Sequence, residues 1–232
     1  MNKVNETLDY IYNTIDIGDI RLSEGYYYNS IVFCIIDAVY SIGARYASTK
    51  KTVERYCLKN GLKMYRRYGS LPIDIKDEHR VEDFLRILEG LTYLEMAEDL
   101  FENRQRTSTR NGILKAQAVW EWASILHHNN IGSFRDIPKL HDDVNIQNQI
   151  KSIKGQASGI SLNYFFMLTG DDNKVKPDRH IINFLEEATG KTLSKIEIEE
   201  LFKSCVDILR ERNPNITCRS LDHAIWGYMS NR

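Results

Sequence analysis

Apolar residues recur at three- and four-residue spacing along almost the whole chain, a rhythm that suits helices and little else. Residues 5–15 put Leu8, Ile11, Tyr12 and Ile15 on one face, and residues 77–91 do the same with Val81, Phe84, Leu85 and Leu88. Residues 115–127 space Ala116, Val119, Trp120, Ala123 and Leu126 for burial. Residues 31–46, IVFCIIDAVYSIGARY, are the most apolar segment. Their face through Val32, Ile35, Ile36, Val39 and Gly43 predicts a buried helix rather than a strand. Ser48 or Thr49 then stands where a cap begins a basic amphipathic helix carrying Val53, Tyr56 and Cys57. No Asn-Gly or Asp-Gly sits between two alternating runs, since Asn111-Gly112 lacks such flanks, so no β-hairpin is expected. The expected fold is all-α, with roughly ten helices.

Breaks in the rhythm mark the connections. Residues 16–25 form a polar link, and residues 60–70 read as a short turn plus helix. Residues 94–101 suit a short acidic helix. Residues 103–112, NRQRTSTRNG, are polar and basic, as a flexible surface loop would be. Residues 129–138 interrupt again, and residues 141–152 lead into a Gly-containing turn. Beyond Asp178 a helix is expected to about residue 188, with Gly190 as its stop. Ser194 and Glu197 make a capping-box pair ahead of a helix through Leu201, Val206 and Leu209. Residues 219–229 close the chain with Leu221, Ile225, Trp226 and Tyr228.

Composition removes several classes. With 232 residues, 42% apolar and 27% charged, the chain is an ordinary globular protein of one domain or two lobes. No run of eighteen apolar residues offers a membrane span, and the start, MNKVNETLDYIYN, has no apolar export core. A cytoplasmic, monomeric protein is expected. Cys34, Cys57, Cys205 and Cys218 lack C-x-x-C spacing and read as reduced thiols. His127, His128 and His141 have no partners at ligand spacing, so neither a metal nor a cofactor is expected. The net charge of −1 hides an uneven distribution. Residues 45–67 hold eight basic residues (Arg45, Lys50, Lys51, Arg55, Lys59, Lys63, Arg66, Arg67) against Glu54 alone. Residues 74–102 hold ten acids against Lys76, Arg80 and Arg86. These are either a basic and an acidic working face or two solvated helix faces.

Residues 150–184, IKSIKGQASGISLNYFFMLTGDDNKVKPDRHIINF, concentrate the chemistry. Gly155 and Gly159, with Ala157 and Ser158 between them, let a backbone come close to a phosphate at a helix N-terminus, or else make a plain turn between helices. Lys151 and Lys154 add charge. A helix through Ile160, Tyr164, Met167 and Leu168 follows, then a polar break from Gly170 to Lys174. Pro177 biases the chain towards extended geometry, so Asp178 falls at the N-cap of the next helix. That carboxylate is either a cap alone or a reactive group.

Ile153-Lys154-Gly155-Gln156-Ala157-Ser158-Gly159 and Pro177-Asp178-Arg179-His180-Ile181 resemble the hairpin and the aspartate motif of the helix-hairpin-helix DNA glycosylases, the superfamily of endonuclease III. In that family the two read roughly L-P-G-V-G-R-K-T-A and V-D-T-H-V. The resemblance extends from about Ile31 to the end, with its motifs confined to residues 150–184. It implies two helical lobes with the hairpin at the cleft between them: one of roughly residues 31–150, the other of roughly 1–30 plus 151–232. It implies double-stranded DNA as partner, phosphate contacts from Lys154, Gly155, Gln156, Ser158 and Gly159, and Asp178 as the catalytic carboxylate. A flipped base needs aromatic walls; Tyr40, Ser41 and Tyr164 are the candidates, with Tyr46, Trp120, Trp122 and Phe165 behind them. Bifunctional relatives carry a nucleophilic lysine after the hairpin glycines. Here Gly159-Ile160-Ser161 stands there, which implies a monofunctional enzyme using water. The four-cysteine cluster of some relatives is absent, and with it any implied iron–sulfur centre. The hairpin also lacks the usual proline, and Asn183 stands where arginine is common. A DNA-binding protein of this fold without catalysis, such as a defence-system component, or a protein-interaction module with Asp178 as a mere cap, are the other readings.

Overall fold

The computed structural model describes residues 3–22, 24–66 and 78–232, and among these the chain forms twelve α-helices and no strand. In chain order they are α1 (Lys3–Thr14), α2 (Ile31–Tyr40), α3 (Tyr46–Lys59), α4 (Val81–Ile87), α5 (Tyr93–Glu95, continued by a π turn, Met96–Leu100), α6 (Lys115–His128), α7 (Ile137–Asp142), α8 (Val144–Ser152), α9 (Ile160–Thr169), α10 (Arg179–Thr189), α11 (Lys195–Leu209) and α12 (Cys218–Ser230). None of the described helices is long and apolar enough to cross a membrane.

Local chemistry sets most of the ends. Ser30 caps α2 by accepting from Val32 N, and Asp143 caps α8 by accepting from Asn145 N and Ile146 N. Thr92 with Glu95, and Ser194 with Glu197, form capping boxes. Gly190 ends α10 in the left-handed region at φ +66°.

Contacts divide the chain into two compact units, Glu24–Thr169 and the pair Met1–Ser23 with Gly170–Arg232. The division falls at Gly170 rather than at residue 150, so α8, the turn after it and α9 belong to the central unit. That unit is organised around α2, whose ten residues are all buried and which packs against α3, α4, α6 and α9. Each large apolar side chain buried there contributes about 1.5–3 kcal/mol. The other unit joins the two ends of the chain. Leu8 and Ile11 of α1 meet Phe184, Leu185, Phe202, Leu209 and Ile225 of α10, α11 and α12 in one apolar cluster.

Three expectations need correction. The helix from Ile31 stops at Tyr40 instead of Tyr46. The buried Lys115 ammonium takes the carbonyls of Tyr40 (2.9 Å) and Ile42 (2.7 Å), satisfying the end of α2, and Gly43 at φ +65° turns the chain. In consequence α3 starts at Tyr46 with Arg45 at its N-cap, and Ser48 and Thr49 lie inside the helix. Residues 60–66 form no helix either. Asn29 N donates to Met64 O and Arg66 N to Tyr27 O, both at 2.9 Å, holding that strip against residues 27–29. Arg67 and the rest of residues 67–70, with Asp74, Lys76 and Asp77, lie outside the described residues.

Candidate functional site

The turn between α8 and α9 is a helix–turn–helix connection, as its glycines lead one to expect. Gly155 and Gly159 sit at φ +94° and +71°, where other L-residues are strained. Gln156 N donates to Ile153 O (2.9 Å) and Gly159 N to Gln156 O (3.0 Å), giving two successive tight turns. Lys154 and Ser158 are exposed. Gln156 is not: it is 2% exposed, and its side-chain carbonyl accepts from Ser161 Oγ of α9. It holds the turn from inside and offers nothing to a ligand. Gly155 also has an internal job. A Cβ added there would lie 2.4 Å from Thr107 Cβ and 2.7 Å from Thr107 Oγ1, so residues 103–112 press directly on the turn.

Those residues are not the flexible loop expected. Thr107 N donates to Ile113 O (2.9 Å), Lys115 N to Gln105 O (2.8 Å), and Arg106 Nη1 to Gly112 O (2.6 Å). Gly112 leaves no room for a side chain, with Ser108 backbone atoms 2.4 Å from where a Cβ would stand. The segment is a hydrogen-bonded hairpin-like strap.

In the other unit, Asp178 stands at the N-cap of α10, half-buried. Its Oδ1 accepts from His180 N (2.9 Å) and Ile181 N (3.2 Å), as an N-cap should. Among the described residues nothing donates to Oδ2. The loop leading to it is fastened to α12. Lys176 N donates to Asp222 Oδ1 (2.9 Å), and Arg219 N to Asp172 O (3.1 Å), with the Arg219 guanidinium 3.7 Å from Asp172 Oδ1. Val175 and Pro177 are buried beneath. Asp222 and Arg219 were not foreseen, because in sequence they are ordinary polar positions on an amphipathic helix. Burial pushes the Asp222 carboxyl up to about 8, helped by the nearby charge of Asp178 and opposed by its bond from Lys176 N and by the charges of Lys176 and Arg219. Asp178 therefore has a second carboxyl close by that holds its proton at neutral pH. Two carboxyls in unlike environments are a pattern able to divide acid and base roles.

The aromatic candidates are mostly core. Tyr40 is fully buried against Phe101, its hydroxyl aimed at Asn103 O (3.4 Å), because α2 is surrounded on all sides. Trp122 and Phe165 are buried against each other. Ser41 Oγ donates to Ala38 O within its own turn. Tyr164 is half-buried against the central core, and Trp120 packs on Tyr93 with ring centroids 5.6 Å apart. Tyr40 thus supplies no pocket wall.

The basic face of residues 45–67 is neutralised in part, while Arg45, Lys51 and Lys63 stay exposed. Glu102 takes both Arg55 (3.2 Å) and Lys59 (2.8 Å), Lys50 reaches Glu54 (3.8 Å), and Arg66 is buried over the Phe134 ring. The acidic stretch supplies the partner, Glu102, so the two faces meet as ion pairs. All four cysteines are buried thiols, and burial pushes Cys57 and Cys205 up to about 12. Among the described residues no group of His, Cys, Asp and Glu is arranged to hold a metal.

Residues 13–230, nearly the whole chain, match the family model of a domain of unknown function, DUF8548. The chain belongs to the DUF8548 family. That match takes in both units, and with them the hairpin, Asp178 and Asp222. Neither a curated protein nor a solved structure matches this DUF8548 chain.

Proposed function

We propose that the protein is a monofunctional DNA glycosylase, acting on double-stranded DNA in the cytoplasm as a monomer. The observation that carries the reading is the state of Asp178: one carboxylate oxygen is committed to the start of α10, and the other has no donor among the described residues. As an N-glycosidic bond stretches, positive charge grows on the sugar. A carboxylate beside that sugar stabilises the charge and orients or deprotonates the attacking water. The base must leave the stack for this to happen, so the substrate is a damaged or modified nucleotide that flips readily. With no lysine at residues 159–161, water is the nucleophile and an abasic site the product.

The test is alkaline cleavage of labelled duplexes that each carry one damaged or modified base. Incubation with the protein is expected to create alkali-labile sites on one member of the panel. Asp178→Asn is expected to abolish them without altering the melting temperature, because asparagine caps a helix as well as aspartate does. Full excision by Asp178→Asn sinks the mechanism.

A second reading, a DNA-binding member of the same fold that performs no chemistry, including a defence-system component, is favoured by the hairpin itself. Gly155 and Gln156 serve packing inside the central unit. Salt-sensitive duplex binding with no product on any member of the panel is its signature.

A further inference from the structure

The strap of residues 103–112 has a free backbone edge, and Arg106 on that edge lines an open groove of about 660 Å³ in the central unit. Thr107 N donates to Ile113 O and Lys115 N to Gln105 O, so Arg106 and Leu114 face each other as an antiparallel pair. The bonds come from their chain neighbours, which makes this the non-hydrogen-bonded kind of pair. In such a pair each residue turns its own amide and carbonyl away from its partner. Leu114 O accepts from Ala118 N at the start of α6. Among the described residues neither Arg106 N nor Arg106 O has a hydrogen bond. A donor and an acceptor therefore stand on the outer side of the strap, as on the edge of a sheet.

The groove beside that edge is apolar with a cationic rim. Tyr93, Leu94, Ile113 and Leu114 supply the apolar wall, Arg106 and Lys154 supply the charge, and none of the lining residues is acidic. Glu95, next to Leu94, folds back on Thr92 and does not answer that charge. Leu94 is 51% exposed, and Leu91 just before it is 38% exposed. Leucines left in water gain stability only when something covers them. A phosphate chain would answer the cations and leave the apolar wall wet. An extended peptide meets the backbone edge, the apolar wall and the rim together. Its main chain pairs with Arg106, an apolar side chain covers Leu94 and Ile113, and an acidic side chain lies against Arg106 and Lys154.

We propose that this groove docks an extended segment of a partner protein, with an apolar residue beside acidic ones, which adds a short strand at Arg106. In docking of this kind main-chain bonds give affinity and side-chain contacts give selectivity. The strap is built in advance for it. Arg106 Nη1 holds Gly112 O (2.6 Å), and Gly112 is closed in by Ser108, so little of the strap needs ordering on binding. The site is independent of Asp178, which belongs to the other unit.

The experiment is a titration of the whole isotope-labelled chain with acetylated, amidated hexapeptides, followed by amide NMR. Each hexapeptide carries a leucine with adjacent aspartates or glutamates at a different offset among serines, and matched sets carry lysine in place of the acids. Acidic members are expected to shift the amides of Leu94, Arg106, Ile113 and Lys154, and the lysine set to leave them in place. Methylating the peptide amide that pairs with Arg106 O is expected to weaken binding about fivefold, the worth of one hydrogen bond. Leu94→Ser is expected to weaken it about tenfold through lost burial. Lys154→Gln is expected to weaken it about two- to fivefold, as an exposed ion pair would. Both side chains are exposed, and melting curves verify that the variants fold. Asp178→Asn is expected to bind the peptides as wild type. No shift at these amides with any acidic member, or equal shifts with the lysine set, overturns the proposal. Shifts there on raising the protein concentration alone give the groove to a second copy of the chain. Shifts there with a short DNA duplex and with no peptide give it to nucleic acid. Either result overturns the proposal as well.

Discussion

Asp178 and Asp222 are near neighbours with unlike surroundings, and single substitutions separate what each does. Asp178 satisfies two amides at the start of α10, so Asp178→Ala is expected to cost about 1 kcal/mol in urea unfolding, the ordinary worth of a cap. Asp178→Asn is expected to cost close to nothing. If both substitutions cost several kcal/mol, Asp178 is a buried structural acid and a poor candidate for chemistry. Asp222 behaves differently because its carboxyl is pushed up to about 8 by burial. An unfolded aspartate titrates near 4, so the folded state binds the extra proton. The stability this contributes is fully present below about pH 4 and is lost as the pH rises through 8. Asp222→Asn keeps an acceptor for Lys176 N and removes the titration. Its melting temperature is expected to gain on the wild type steadily from pH 5 to pH 9, by several degrees at the upper end. A constant difference across that range contradicts the assignment. Asp178 was legible in sequence because proline before an acid before an apolar run is a local signal. Asp222 was not, since its role depends on a loop more than forty residues upstream.

At the scale of elements, helix existence followed from apolar spacing almost everywhere, and the errors lie at ends decided by distant groups. The end of α2 is held by Lys115, a residue in another helix, and no local pattern around Tyr40 announces it. The segment 103–112 read as flexible because its composition is polar, but its order comes from cross-strap amide bonds and from the turn it touches. The hairpin glycines illustrate the same limit. Both were visible as turn formers, yet only packing distinguishes them. Gly159→Ala meets nothing closer than Lys151 Cε at 3.5 Å, so its cost is the left-handed backbone, about 1–2 kcal/mol. Gly155→Ala has that cost and a collision with Thr107 as well. It is expected to be clearly the more destabilising of the two, by urea unfolding, and to raise amide exchange in residues 103–112. Equal costs for the two alanines, with the strap's exchange unchanged, contradict the close contact.

For the whole molecule, the decisive fact is that one unit is continuous in sequence and the other is assembled from both ends. The boundary between the two units falls at Gly170. Periodicity had no means of locating it, because α8 and α9 carry the same kind of apolar face whichever core they enter. The terminal unit depends on α1: Ile11 is fully buried among residues of α10, α11 and α12, and Tyr10 donates to Glu187 at 2.5 Å. Ile11→Ala leaves a hole in that cluster and is expected to cost about 2–4 kcal/mol. Since the apolar clusters of the two units are made of different residues, the loss is expected to be local. Native-state amide exchange is the measurement: protection falls in α10, α11 and α12 of the Ile11→Ala protein and stays at its wild-type level in α2. An equal loss of protection in α2 means that the units unfold as one, and the division by contacts then has no counterpart in stability.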